Sequence, residues 1–209
     1  MSTPVDPRAS GEDLTAKARI RNAAMDLYAE YGEDHTSMRA IAAAAGVTVG
    51  LLVHHFGTKD RLRDAVDQLV VDYFAQAIAQ VPVTGSPAEI GAARDAAVQE
   101  MLATNPAVVN YLRRVVLNPL PAAGRLLERL TELARREVTQ LRATGYASTT
   151  RPESSQVIGV MVRQLGRLFL QPMLDAMWHQ LAEPGATDAD KPILEVRARS
   201  SQRAIRTVT

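Results

Sequence analysis

Apolar residues return along this chain with the period of a helix. Ile20, Ala23, Ala24, Leu27, Tyr28 and Tyr31 fall at i, i+3, i+4, i+7, i+8 and i+11, one face of a helix. Asp13 is placed to cap its start and Gly32 to stop it. Thr36 or Ser37 opens a short second helix with Met38, Ile41, Ala42 and Ala45 inward, and Gly46 breaks it. Thr48 caps a third short helix, which runs to about His55. After Gly57, Thr58 caps a long fourth helix, with Asp60 favourably placed in its first turn. Its apolar face is Leu62, Ala65, Val66, Leu69, Val70, Tyr73 and Ala77.

The helical period persists to the far end. Ser86 caps a fifth helix to about Thr104, and Pro106 opens a sixth with Val108, Val109, Leu112, Val115 and Val116 inward. Residues 118–121 break it. A seventh follows to about Thr144, lined by Leu126, Leu127, Leu130, Leu133, Val138 and Leu141. An eighth spans 153–181, and Pro172, which has no N–H to donate, is predicted to kink or split it. A ninth is predicted from Lys191 to about Ser201. No strand-type alternation and no repeat of 20–50 residues appears. The fold class is therefore all-α, with about nine helices: an N-terminal three-helix unit and a larger C-terminal bundle. Residues 1–12 read as a disordered arm, 13–60 as the small unit, 61–201 as the bundle and 202–209 as a flexible tail.

Composition narrows the function classes. The 209 residues are 46% hydrophobic and 22% charged, and none is cysteine. Disulfides and cysteine metal sites are excluded, and a reducing cytoplasm is the expected compartment. The first residues lack the apolar run of a secretory signal. The most apolar stretch, 157–181, is interrupted by Arg163, Arg167 and Asp175, so no membrane partner is expected. No nucleophile elbow, phosphate loop, dinucleotide fingerprint or zinc-protease motif occurs. His35, His54, His55 and His179 do not share metal-ligand spacing with carboxylates. No catalytic residue, metal or cofactor is expected.

Net charge is +1. Residues 13–66 carry seven basic and seven acidic side chains, a local sum of zero. Charge alone does not argue for nucleic acid, so local pattern has to. Short helix, tight turn at Ala45-Gly46-Val47 and short helix make a helix-turn-helix, with Ile41, Ala42, Val47 and Leu52 fixing the angle. Such a unit presents its second helix to a major groove.

Residues 18–66 also resemble the N-terminal domain of the TetR (tetracycline-repressor) family. The resemblance rests on Ala24 through Leu27-Tyr28 to Gly32, Thr36-Ser37 before Met38-Arg39 and Ile41-Ala42, and Ala45-Gly46-Val47-Thr48. It continues through Gly50, Leu52, His54-His55-Phe56 and Lys59 after Thr58. It implies that the third helix reads the groove while the first helix and the start of the fourth grip phosphates. The bundle would dimerise and hold an inducer pocket, and ligand would change the spacing of two reading heads set about 34–36 Å apart. The implied DNA contacts are Thr36, Ser37, Arg39, Thr48, Val49, Gly50, Leu51, His54, His55 and Lys59. Thr36, Ser37 and Thr48 serve equally well as helix caps.

The family often carries a basic residue, a hydroxyl and a tyrosine where this chain has Val49, Leu51 and Val53. None of the three donates to a phosphate, which implies a flatter salt dependence and either weaker binding or, through thymine methyls against Val49 and Leu51, an operator leaning to A/T. Candidate ligand residues in the bundle are Met101, Asn110, Tyr111, Arg114, Phe169, Met173, Met177 and Trp178, although each apolar one taken singly is more at home in a core. The eighth helix is apolar around much of its circumference, which predicts a homodimer through helices eight and nine. The expected partners are thus a double-stranded DNA operator, an unknown small-molecule effector and a second copy of the chain. The alternative is a small-molecule or protein-binding helical module of the same fold that no longer binds DNA.

Overall fold

A computed structural model of the chain describes residues 7, 8, 15–117 and 121–198, with side chains in the last stretch from Arg125 onward. The Asp13 cap, most of the 1–12 arm, the break after residue 117 and the 202–209 tail lie outside the described residues. Among those described there are eight α-helices. They are α1 (Ala16–Tyr31), α2 (Met38–Ala44), α3 (Val49–Phe56), α4 (Lys59–Ala79), α5 (Pro87–Thr104), α6 (Pro106–Leu117), α7 (Pro121–Ala143) and α8 (Glu153–Leu181). A single 3-10 turn follows at Asp188–Asp190.

Hydroxyl caps set most of the helix starts. The Ala18 amide donates to Thr15 Oγ1 at 3.3 Å, so Thr15 caps α1. Ser37 caps α2 at 3.1 Å, Thr48 caps α3 at 3.2 Å and Thr58 caps α4 at 3.2 Å. Ser86 and Glu89 form a reciprocal capping box at α5.

The chain divides into two compact units, Met1–Leu133 and Ala134–Thr209. In the first, α1 packs on α2, α3, α4 and α6. Several neighbours bury more than one stripe, so Met25 and Ala29 join Ile20, Ala24 and Tyr28 in the core. Tyr31, expected inside, is half exposed. The long α4 is shared by α1, α3 and α5 and is correspondingly buried beyond its predicted stripe. Two polar links bind α6 to this core. Tyr111 Oη donates to Asp67 Oδ1 at 2.7 Å inside it. Arg114 Nε donates to the Ala29 carbonyl at 2.8 Å and Nη2 to that of Glu30, placing a cation on the last carbonyls of α1. The start of α7 docks through Arg129, whose Nη1 donates to the Asp64 carbonyl at 3.1 Å.

The second unit centres on Ala134, Val138 and Val157, with Val160 and Met161 against them. Arg142 Nη1 donates to the carbonyls of Ser148 and Arg151 at 2.7 and 2.8 Å and closes the loop into α8. Pro172 lies inside α8 without splitting it. The predicted ninth helix is a correction. Residues 192–198 are not helical. Leu194 and Val196 turn inward while Ile193, Glu195 and Arg197 are exposed, a period of two rather than 3.6. Pro192 removes an amide at the start, and Val196 lies so close to α8 that a Cβ on Gly166 would meet it at 2.7 Å.

Candidate nucleic-acid interface

The α2–α3 pair decides what the N-terminal unit can do. The two helices are bent by 106° across a four-residue break. At the turn Gly46 has φ +64°, a conformation in which a Cβ is strained. Its amide donates to Ala43 and that of Val47 to Ala42, satisfying the end of α2. Ile41, Ala42 and Ala45 from α2 and its cap, and Leu52 and Phe56 from α3, are buried and hold the angle. Lys17 Nζ sits 5.8 Å from the Phe56 ring centroid, a cation on the aromatic face.

With Leu52 and Phe56 inward, the 100° step of a helix turns Gly50, Leu51 and His54 to the opposite side. Val53 borders them on one side and His55 on the other, with Val49 in the first turn beyond Val53. Val49 is 38%, Leu51 36% and Val53 46% exposed, an unusual apolar outer face for a helix of eight residues. Thr48 and Ser37 are exposed beside it, their oxygens taken as caps while each hydroxyl keeps a proton to donate. Arg39 is exposed on α2. His54 is exposed, and His55 is half-buried with its ring edge-on to His54 at 5.5 Å.

Two expected contacts are differently employed. Thr36 is buried, and its hydroxyl donates to the Gly32 carbonyl at 2.7 Å. That bond closes the α1–α2 turn, so as a phosphate contact Thr36 is corrected. Lys59 Nζ donates to the Glu33 carbonyl at 2.6 Å, tethering the start of α4 to the same turn. Two ammonium protons remain for another partner.

A polar group behind the interface is not foreseen from sequence. Buried Arg63 donates to Glu33 and lies 3.1 Å from Asp60, and one turn further on Asp67 meets Tyr111. The only sequence signal is two charges at i and i+4 beside apolar positions of α4, which reads as an ordinary exposed ion pair.

In the same unit, a cavity of about 650 Å³ lies along α4 and α5, lined among others by Tyr73, Gln76, Gln80, Met101, Thr104 and Asn105. Of the ligand residues expected from sequence, Met101 lines this cavity. Tyr111 is in the core and Arg114 is engaged with α1, while Asn110 is exposed on α6. In the second unit Phe169 and Trp178 are half-buried, and Met173 and Met177 are 59% and 51% exposed. No group of three or more potential metal ligands occurs among the described residues. No single described helix is long and apolar enough to cross a membrane.

Residues 20–66 match the bacterial regulatory proteins of the tetR family. The HTH-type transcriptional regulatory protein RaaS of Mycobacterium tuberculosis is 50% identical over 60 residues, covering 29% of this chain and 28% of RaaS. The match therefore spans less than a third of that relative's length. The HTH-type transcriptional repressor Rv1474c of the same organism is 29% identical over 178 residues, 84% of this chain and 88% of that one. Among solved structures, a transcriptional regulator from Rhodococcus sp. Rha1 superposes with a TM-score of 0.61 at 20% identity, covering 78% of this chain and 87% of that one. At that identity the likeness concerns the fold.

Proposed function

We propose that this chain, whose residues 20–66 match the tetR family of bacterial regulatory proteins, is a member of that family and a ligand-responsive transcriptional repressor that binds a palindromic operator as a dimer. The observation that carries the reading is the 106° pairing of α2 and α3, which leaves the outer face of α3 uncovered inside the very stretch that matches the family. Ser37, Arg39, Thr48, Gly50, His54, His55 and Lys59 are the contacts proposed on this surface, with Val49 and Leu51 beside them. The test is selection of bound sequences from a random duplex pool with the purified protein at low and moderate salt. An enriched palindrome supports the reading. Absence of enrichment from folded dimer favours the second reading, a ligand- or protein-binding module, to which the zero net charge of residues 13–66 gives some weight.

Gly50 offers a sharper probe. It is a helical, exposed glycine with no positive φ, and a Cβ there would meet only Thr48 Oγ1, at 3.9 Å. Nothing inside the fold requires a glycine, which is the poorer helix former by about 1 kcal/mol. Close approach of the backbone to DNA does. Gly50→Ala is expected to leave the melting temperature unchanged or raised, yet to weaken binding to the selected duplex about tenfold. Unchanged binding in a titration would remove Gly50 from the interface.

Repression of this kind requires a two-fold dimer, and α8 supplies a surface for it. Ile158, Leu170, Met173, Met177 and Leu181 are exposed along it. A run of large apolar side chains of this kind is costly to leave in water. With the ninth helix absent from 192–198, α8 is the proposed seam. Light scattering at micromolar concentration is expected to give a dimer, and Met173→Glu with Met177→Glu a folded monomer. A double variant that remains a dimer would place the seam elsewhere. The effector is proposed to enter the cavity along α4 and α5, whose tyrosine, methionine and amide lining suits a small, largely apolar molecule with a few hydrogen-bonding groups.

A further inference from the structure

We propose that α3 recognises its operator chiefly through the 5-methyl groups of thymine, packed against Leu51 and Val53 on either side of a central contact from His54. This rests on the DNA-binding reading above and names what that surface reads.

The outer face of α3 is nearly without hydrogen-bonding groups. Base edges in the major groove offer hydrogen-bond donors, acceptors and one apolar group, the thymine methyl. A reading helix with Arg, Lys, Asn or Gln on its outer face addresses the first two. Here the residues turned away from Leu52 and Phe56 are Gly50, Leu51 and His54, bordered by Val53 on one side and His55 on the other. Gly50 has no side chain, and Leu51, Val49 and Val53 have no polar atoms. His54 alone on that face carries a hydrogen-bonding group, because His55 is half-buried beside it. Thr48 stands at the end of the helix, its oxygen accepting from the Leu51 amide at 3.2 Å.

The exposure of these residues has no account within the fold. The inner face of α3 is already supplied by Leu52 and Phe56, and both are buried. Leu51 and Val53 lie in successive outward directions about 160° apart around the axis, so one partner atom cannot cover both. Two apolar groups on either side of a hydrogen-bonding centre can. Gly50, where a Cβ would meet only Thr48 Oγ1 at 3.9 Å, lets the helix come near enough for short aliphatic side chains to touch the base edges. A major groove with a thymine on each side of the base pair facing His54 fits this arrangement. A protein partner would meet the same face, and the experiment below separates the two.

The test uses the full-length protein and the duplex enriched from the random pool. Three versions of that duplex are titrated: the natural one, one with every thymine replaced by deoxyuridine, and one with deoxyuridine at single positions. Deoxyuridine removes the methyl and keeps every hydrogen-bonding group and phosphate. Each methyl buried against Leu51 or Val53 is expected to contribute about fourfold in affinity. Full replacement is then expected to cost about tenfold or more, with the single-site losses confined to positions flanking the His54 base pair. Leu51→Ala is expected to abolish the loss at one flanking position and Val53→Ala at the other, leaving the rest of the profile unchanged. Both residues are exposed, so both variants are expected to fold, which circular dichroism checks. Specific binding that is equal within twofold on thymine and deoxyuridine duplexes would overturn this inference and leave the DNA-binding reading standing. No enrichment from the pool would overturn both.

Discussion

Tyr111→Phe is expected to lower the free energy of unfolding by about 2–3 kcal/mol at pH 7 and by only about 1 kcal/mol at pH 4. The cause is the company the hydroxyl keeps. Asp67 is 1% exposed and its Oδ2 has no hydrogen-bond partner, so Tyr111 supplies the bond at Oδ1. Burial pushes the Asp67 carboxyl up to about 6; the Tyr111 hydrogen bond and the charges of Arg129 and Arg63 pull it down, and Asp64 pushes it up. Because the folded value stands above the ordinary 3.8, folding favours the protonated acid. Its contribution is full below about pH 4 and is lost as pH rises through about 6. Without the Tyr111 hydroxyl the carboxyl titrates higher still, so the extra cost falls on the ionised form and appears at neutral pH. At pH 4 the variant loses one hydrogen bond between neutral groups. Tyr111 itself stays protonated, held far above the usual phenol range by burial and by Asp67. Urea unfolding at the two pH values reads the difference, and an equal loss at both would show that Asp67 does not depend on this bond.

Adjacent leucines in α3 should respond oppositely. Leu52 is fully buried in the angle between α3 and its neighbours, and Leu52→Ala is expected to cost about 2–5 kcal/mol. An eight-residue helix is too short to persist without tertiary packing, so the loss should appear first as local opening of α3 and with it loss of duplex binding. Leu51→Ala, one residue earlier and exposed, is expected to change stability by less than about 0.5 kcal/mol. Thermal unfolding of the two variants side by side checks this. Comparable destabilisation would mean that Leu51, too, is part of the core.

These two cases mark what was legible in the chain. Leu52, the hydroxyls of Ser37, Thr48 and Thr58, and the glycines at 46 and 57 follow local rules, and local rules recovered α2, the turn and α3. The limits of α8 were likewise carried by periodicity and the preceding loop. What escaped depends on partners distant in sequence. Met25 and Ala29 are buried because α1 packs on several sides, α6 among them. Arg63 and Asp67 carry no local sign of burial, because nothing nearby announces Glu33 or Tyr111 across the fold. Thr36 has the residue type and place of a phosphate contact, but the Gly32 carbonyl claims its hydroxyl. Past Pro192, a few apolar residues fit helix and extended chain equally, and the closeness of Val196 to Gly166 goes with the extended form.

The grip of Arg114 on the last carbonyls of α1 has a kinetic meaning. A helix terminus ordinarily frays, and its amide protons trade with water through small local openings. Here the carbonyls of Ala29 and Glu30 are held by a side chain rooted in α6, so the last turn of α1 cannot loosen without breaking bonds to a helix more than eighty residues away. Its amides should exchange as slowly as those of α6 and through the same opening event, so the end of α1 and the helix that grips it behave as one unit in time as well as in space.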